Sequence, residues 1–140
     1  MTKPKTRVGI IGAGWPGQQH ARVLGAIEEA ELYACAEAEP ARLAEFQATY
    51  APRQVYADYQ DLLGDPAVDA VVICLPNFLH FPATLAALGA GKHVLCVSPP
   101  TLTGPSMVVL REAAKKRGLV YFLSRQIRFS PDLRASPGCV

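Results

Sequence analysis

The sequence lacks several features that would place it in a specialised class of protein. It has no uninterrupted run of about 18 apolar residues, which is the length that a membrane-spanning helix requires. The basic start, Met1 to Arg7, leads into only five apolar or glycine residues, so no signal-peptide core follows. Charged residues make up 19% of the chain and hydrophobic residues 50%, a balance that excludes a disordered chain. We therefore expect a soluble, cytoplasmic protein with no membrane partner.

A strong excess of charge of either sign is also lacking. The 14 basic and 12 acidic residues give a net charge of +2 and are spread along the chain. Nucleic-acid-binding domains usually carry a clustered basic stripe, and the nearest equivalent here is the run from Lys115 to Arg117. Basic residues in the last turn of a helix more often complement the helix dipole. We therefore expect no nucleic-acid partner.

Cysteine is sparse, and its four positions contain no CxxC pair. Cys35, Cys74 and Cys96 lie inside apolar runs that are typical of β-strands. Buried, reduced thiols are the interpretation that this pattern favours, and no metal site is expected. Cys139 stands next to the end of the sequence and is expected to be exposed.

Short apolar runs alternate with helical patterns through most of the 140 residues. The pattern predicts strands at 7–11, 32–36, 54–56, 70–74, 93–97 and 119–123. It predicts helices at 16–28, 40–50 and 59–63, the last with Asp58 as its N-cap. It predicts two further helices, one capped by Asn77 that ends near Gly89 and Gly91, and one capped by Thr103 that runs to Arg117. Strands joined through helices run parallel, because such neighbours need long right-handed connections.

The predicted fold class is α/β: a Rossmann-type, doubly wound parallel sheet of six strands in the order 3-2-1-4-5-6. The length fits a single domain, which we expect to cover residues 1–129. Residues 130–140 contain two Ser-Pro pairs and few apolar side chains, and they are expected to form a C-terminal tail.

The segment from Gly12 to Gly17 spells GxGxxG between the first predicted strand and the first predicted helix. This context makes the pattern typical of a dinucleotide-binding loop. Gly12 permits the tight turn, Gly14 lets the backbone approach a pyrophosphate, and Gly17 lets the helix pack closely on the strand. The diphosphate would bind the free N–H groups at the helix N-terminus. Pro16 lacks an N–H, which predicts weakened rather than abolished binding.

Glu37 stands 20 positions after Gly17, at the end of the second predicted strand. A carboxylate there accepts hydrogen bonds from the adenosine ribose hydroxyls and repels a 2′-phosphate, which favours NAD over NADP. The nearby Glu39 and Arg42 leave that preference open. The alternative interpretation is a glycine-rich turn that binds nothing, with Glu37 as a solvated charge at the end of a strand.

Four segments together resemble one known family. They are Gly12 to Gly17 followed by His20-Ala21, the run Cys74-Leu75-Pro76-Asn77-Phe78-Leu79-His80, the run Gly91-Lys92-His93-Val94-Leu95-Cys96, and Arg128-Phe129-Ser130-Pro131. The combination resembles the N-terminal half of the glucose–fructose oxidoreductase/inositol dehydrogenase family (Gfo/Idh/MocA). The resemblance runs from about Arg7 to Ala135.

Family members use this half to bind NAD or NADP, so the resemblance implies a set of cofactor-binding residues. Those at the pyrophosphate would be Gly12, Gly14, Trp15 and Gly17, with Glu37 at the adenosine ribose. Those along the nicotinamide side would be Leu75, Pro76, Asn77 and His80. Two of these have structural alternatives: Asn77 as a simple N-cap, and His80 as a helix residue packed on the loop.

The chain departs from the family pattern at the position of the catalytic lysine. The family typically continues the fifth strand into Glu-Lys-Pro, where the lysine assists proton transfer, whereas this chain has Val97-Ser98-Pro99. The Ser98 hydroxyl carries no positive charge and is a poor acid or base, and losing such a group commonly costs about 10²–10⁴-fold in rate. The family's C-terminal domain is also expected to be lacking. No catalytic residue is therefore assigned, and nucleotide binding without hydride transfer is expected.

Two other functions stay open. One is an oxidoreductase acting on a sugar or polyol CH–OH group, with an active site completed by a partner chain and an anion held by Arg125 and Arg128. The alternative interpretation is that both are surface arginines, and it is favoured for Arg125. The other is a non-enzymatic oligomeric scaffold. The run from Leu119 to Leu123 resembles an apolar edge strand, which pairs readily, so a homodimer is expected.

Overall fold

The computed structural model describes residues 3–97 and 103–124, which form one parallel sheet covered by helices. The elements are, in chain order, β1 (Thr6–Ile11), α1 (Trp15–Leu24), β2 (Ala30–Ala36), α2 (Pro40–Tyr50), β3 (Gln54–Tyr56), α3 (Tyr59–Leu63), β4 (Ala70–Ile73), α4 (Asn77–Gly89), β5 (His93–Val97), α5 (Gly104–Arg117) and β6 (Tyr121–Ser124). The strand order is β3-β2-β1-β4-β5-β6, and every pair of neighbours is parallel. The predicted fold class and strand order are confirmed.

The sheet carries a buried core on each face. On one face, Ala21 of α1 and Phe46 of α2 belong to a cluster with strand residues such as Ile10. On the other face, residues of α3, α4 and α5 cluster with strand residues such as Ile11 and Val71. Right-handed connections place the helices on opposite faces because the strand order reverses between β1 and β4. The carboxyl ends of β1 and β4 therefore diverge into separate loops and leave a crevice between them.

The structure confirms two of the three predicted helix caps. The Asp58 carboxylate accepts a hydrogen bond from Gln60 N at 2.8 Å, and the Thr103 hydroxyl accepts one from Ser106 N at 3.3 Å. The prediction for Asn77 was wrong, because Pro76 is the N-cap of α4 and Asn77 is its first helical residue. Pro76 keeps an extended ψ of 149°, so the helix starts one residue earlier than a cap at Asn77 would require.

Two predicted boundaries also differ from the structure. Helix α1 ends at Leu24 rather than at residue 28, since Gly25 closes it with bonds from its N–H to the carbonyls of Ala21 and Val23. Glycine is a poor helix former, which fits its position at this end. Strand β6 begins at Tyr121 rather than at 119, because Leu119 N still donates to Ala114 O at 2.9 Å and completes the end of α5.

Several sequence-level expectations fall on residues outside the described ranges. They are Ser98, Arg125, Arg128, Cys139 and the tail of residues 130–140. Among the described residues, Cys35, Cys74 and Cys96 are buried free thiols, as expected. Within the same ranges, the structure contains no helix long and apolar enough to cross a membrane.

Lys92 lies at the end of the sheet where the parallel strands begin, opposite to the crevice at their carboxyl ends. It precedes β5, its residue is 6% exposed, and its Nζ donates hydrogen bonds to the carbonyls of Asp65 and Val68, each at 2.7 Å. The ammonium therefore joins the loop between α3 and β4 to the start of β5. Hydrogen bonds that involve a charged group are stronger than neutral ones.

Lys92→Met is expected to lower the free energy of unfolding by about 2–3 kcal/mol, because it leaves two carbonyl groups without their donor. Urea denaturation of the two proteins measures the loss. The matched control is Lys115→Met on the exposed side of α5, which should change stability by less than about 0.5 kcal/mol. If Lys92→Met is no more destabilising than this control, the bonds of Lys92 do not stabilise the fold.

Candidate functional site

A cavity of about 690 Å³ opens at the carboxyl edge of the sheet. Its lining comes from residues in four segments, 11–16, 36–42, 57–59 and 74–79, which follow or end β1, β2, β3 and β4. The volume lies in the range of small-molecule sites. The position, at the reversal of strand order, is where open α/β sheets bind their ligands.

Two glycines of the GxGxxG loop are required by the packing of the chain itself. Gly12 has φ of 101°, in the left-handed region, and a Cβ there would clash with the carbonyl of Cys74. Gly17 is buried, and a Cβ there would collide with the carbonyl oxygen of Gly12. These glycines bring the first turn of α1 against the ends of β1 and β4.

Gly14 differs from both of these glycines. Its φ of −70° suits any residue, and a Cβ would meet only Pro16 Cδ, at 3.9 Å. It is the N-cap of α1, a position where serine, threonine, aspartate and asparagine are at least as favourable as glycine. Gly14 also lines the cavity. The packing of the described residues therefore does not require a glycine here, and its effect is to leave bare backbone facing the cavity.

The N-terminus of α1 supplies hydrogen-bond donors beside this bare backbone. The first backbone bond of the helix runs from Gln18 N to Gly14 O at 3.0 Å, so the preceding N–H groups have no acceptor inside the helix. Trp15 and Gly17 each contribute one such N–H, whereas Pro16 has none. The positive end of the helix dipole adds to this preference for an anion.

Glu37 connects the end of β2 to the glycine loop. Its side chain is only 9% exposed, and its Oε2 accepts a hydrogen bond from Ala13 N at 2.8 Å. Its Oε1 accepts one from Glu39 N at 3.1 Å and lies 3.6 Å from Arg42 Nη1. This carboxylate is therefore not the solvated charge that the alternative interpretation requires.

The charge of Glu37 is maintained by these contacts. Burial by itself raises the pKa of the carboxyl group, but the two amide donors and the Arg42 guanidinium together hold the pKa below its ordinary value. Glu37 is thus ionised at neutral pH and presents a negative charge to the cavity that it lines.

The residues after β4 divide into two groups. Leu75 and Pro76 line the cavity, while Asn77 is exposed at the start of α4. His80 is fully buried, and its Nε2 donates a hydrogen bond to the Leu75 carbonyl at 2.6 Å. This arrangement matches the alternative considered for His80, a helix residue packed on the loop that it supports.

Sequence reasoning did not assign several residues that line the cavity to the cofactor site, among them Asp58 and Tyr59. A signal for these two was present, because they follow β3 and the carboxyl ends of parallel strands share one edge. Trp15 is the first residue of α1, its side chain is largely exposed, and it is not among the residues that line the cavity. Among the described residues, no group of three or more histidine, cysteine, aspartate or glutamate side chains is placed to hold a metal ion.

Residues 6–124 match the family model described as an oxidoreductase family with an NAD-binding Rossmann fold. The chain belongs to the Gfo/Idh/MocA oxidoreductase family. It is 33% identical over 128 residues to the myo-inositol 2-dehydrogenase of Thermotoga maritima, an alignment that covers 91% of this chain and 38% of the relative. The chain thus spans less than half the length of the relatives that it matches.

Solved structures of similar proteins have the same fold. The scyllo-inositol dehydrogenase of Lactobacillus casei with bound NAD(H) and scyllo-inositol is 28% identical, with a TM-score of 0.84 over 93% of this chain and 39% of that one. The biliverdin reductase of Synechocystis in complex with biliverdin and NADP+ is 31% identical, with a TM-score of 0.88 over 93% of this chain and 41% of that one. Because both dinucleotides occur among these neighbours, family membership shows an NAD(P)-binding fold and leaves the choice between them open.

Proposed function

We propose that this domain binds NAD in the cavity between the glycine loop and Glu37. One observation carries the proposal: Gly14, whose missing side chain the packing of the described residues does not explain, lines the same cavity as the ionised Glu37. The diphosphate would lie over the backbone of Gly14, with the N–H groups of Trp15 and Gly17 as donors. The adenosine ribose hydroxyls would hydrogen-bond to Glu37, whose charge disfavours a 2′-phosphate.

The nicotinamide would then lie toward the end of β4. Leu75 and Pro76 line this part of the cavity, and the bond from His80 to the Leu75 carbonyl fixes the loop that carries them. We propose that Asn77, exposed at the N-terminus of α4, contacts the nicotinamide side. When bound, the nicotinamide supplies a site that accepts or donates hydride.

Binding of NAD to the purified protein is tested by calorimetric titration. We expect saturable binding to the wild type and a loss of about 10- to 100-fold in affinity in Glu37→Ala, because hydrogen bonds to a charged group contribute about 1.5–3 kcal/mol. Glu45→Ala, an exposed position on α2, is the control and should bind as the wild type does. Absence of binding by the wild type at millimolar NAD would contradict the proposed function.

The reaction class is proposed from the relatives. The inositol dehydrogenases named above act on polyols, which suggests oxidation of a CH–OH group as the reaction class. This chain has Ser98 at the position of the family lysine, so a strong acid–base group is missing there. We therefore propose that the chain alone binds the nucleotide without hydride transfer.

The competing proposal is an active site completed by a partner chain. Absorbance of reduced nicotinamide, followed with myo-inositol, scyllo-inositol and glucose as substrates, distinguishes the two. We expect no turnover by the purified chain. Turnover by the chain alone would contradict catalytic degeneracy, and turnover only after a partner chain is added would favour the competing proposal.

We also propose that the chain forms a homodimer through β6. This strand pairs with β5 and lies at the edge of the described sheet, so one side of its backbone can pair with another strand. Phe122 is exposed although it lies beside Leu95, which contacts the core under α1 and α2. Pairing of this edge with the β6 of a second copy would cover the exposed side chain as well as the unpaired backbone.

Light scattering at micromolar concentration tests the dimer. The wild type should have the mass of two chains, and Phe122→Glu should shift it toward the mass of one, because a charge at the covered face is costly to bury. Val108→Glu, an exposed apolar position on α5, controls for the added charge. A monomeric wild type would contradict the proposal.

A further inference from the structure

We propose that Glu39 is a specificity-determining residue that withholds Arg42 from a 2′-phosphate and so sets the preference of the site for NAD over NADP. This inference rests on the proposed function, since it concerns the adenosine end of the same cavity. It assigns roles to two side chains, Glu39 and Arg42, whose effect on the cofactor preference could not be decided from the sequence.

Arg42 is a cation at the point where the two cofactors differ. It lines the cavity together with Glu37, and its Nη1 lies 3.6 Å from Glu37 Oε1. The guanidinium of Arg42 is therefore next to Glu37, the carboxylate proposed to bind the ribose hydroxyls. A 2′-phosphate on that ribose would come within reach of Arg42, and guanidinium groups pair well with phosphate oxygens.

Glu39 forms an ion pair with this guanidinium. Its Oε2 lies 2.9 Å from Arg42 Nη2, closer than the approach of Glu37 to the other Nη atom. The two residues are three positions apart at the start of α2, a spacing that brings side chains together on one face of a helix. One arginine is thus shared by two carboxylates, so the group carries a net negative charge. A phosphate, with nearly two negative charges, would be repelled.

Glu39 can be altered with little structural cost, which separates its role from that of Glu37. Its side chain is 56% exposed, and it makes no capping hydrogen bond to α2 although it occupies the N-cap position. Glu37, in contrast, is fixed by the amides of Ala13 and Glu39, so its removal also disturbs the glycine loop. Neutralising Glu39 therefore changes the charge around Arg42 and leaves the loop in place.

The experiment measures dissociation constants for NAD and NADP by calorimetry at low salt. Four proteins are compared with the wild type: Glu39→Gln, Arg42→Gln, the double variant and Glu45→Gln. In Glu39→Gln the affinity for NADP relative to NAD should rise about 1.5- to fivefold, a range typical of an exposed charge pair. The rise should disappear in the double variant, because that protein no longer has the Arg42 guanidinium. It should also be smaller at high salt, because salt screens exposed charges. Glu45→Gln removes the same charge elsewhere on α2 and should not change the ratio.

Each other outcome overturns the inference in a recognisable way. If the wild type binds NAD and Glu39→Gln leaves the ratio unchanged, Glu39 does not determine specificity. If the rise persists in the double variant, or occurs equally in Glu45→Gln, Arg42 is not the group that Glu39 withholds. If the wild type binds neither nucleotide, the proposed function fails and this inference fails with it.

Discussion

Gly14→Ser is expected to leave the fold intact and to weaken NAD binding by about 10- to 100-fold. The substituted residue would have an ordinary φ of −70°, and its Cβ would meet only Pro16 Cδ, at 3.9 Å. Serine is moreover a good N-cap, worth a few tenths of a kcal/mol over glycine at this position. The same side chain would stand where the diphosphate approaches the backbone, and forcing extra atoms into a packed contact costs about 1–3 kcal/mol.

The measurement pairs thermal unfolding with calorimetric titration of NAD. Gly104→Ala is the control, because Gly104 also has open space around its Cβ position but lies at the start of α5, outside the cavity lining. It should bind NAD as the wild type does. A Gly14→Ser protein that is folded and binds NAD with unchanged affinity would show that the cavity beside Gly14 is not the diphosphate site.

Gly17→Ala is expected to destabilise the fold by about 3 kcal/mol, because overpacking against rigid backbone lies at the upper end of the usual cost. The new Cβ would collide with the carbonyl oxygen of Gly12 and would approach Ile10 Cγ2 to 3.3 Å. Neither neighbour is the flexible end of a long side chain, so α1 would have to move away from β1. That movement also widens the glycine loop, and NAD binding should fall with stability.

Urea denaturation of Gly17→Ala and of a control glycine variant measures this effect. The control is Gly89→Ala at the end of α4, where a Cβ meets no atom within 4 Å. It should be neutral or slightly stabilising, since alanine is the better helix former. A loss below about 1 kcal/mol in Gly17→Ala would mean that the close contact with Gly12 relaxes easily. The fold would then tolerate a side chain at Gly17 as it does at Gly14, contrary to the close contact that surrounds Gly17.

Much of the fold could be predicted from the sequence, because periodicity reports directly on burial. The run from Ala70 to Ile73 is apolar throughout, and the structure places it in the middle of the sheet, packed on both faces. The predicted ends of the helices and strands were less accurate. Helix α1 ends at Leu24, four residues before the predicted end, and β6 begins two residues after its predicted start. Backbone bonds at the helix termini decide these boundaries and leave little trace in the hydrophobic pattern.

The candidate site was predicted in outline but not in its contacts. The GxGxxG spacing identified the loop, and the family resemblance supplied the segment that begins with Leu75. The bond between Glu37 and Ala13 joins residues 24 positions apart, and no local pattern encodes it. The same holds for His80, since a buried and an exposed histidine look alike in a sequence until the surrounding elements are packed.

The measurement that tests the central claim most directly is a two-dimensional amide NMR titration of the isotope-labelled protein with NAD. It reports where the nucleotide binds as well as whether it binds. We predict saturable shifts at Ala13, Gly14 and Trp15, and at residues 37–38 and 58–59, with little change at Lys92 on the opposite edge of the sheet. Saturable shifts confined to another surface, or no shifts at millimolar NAD, would contradict a dinucleotide site in this cavity.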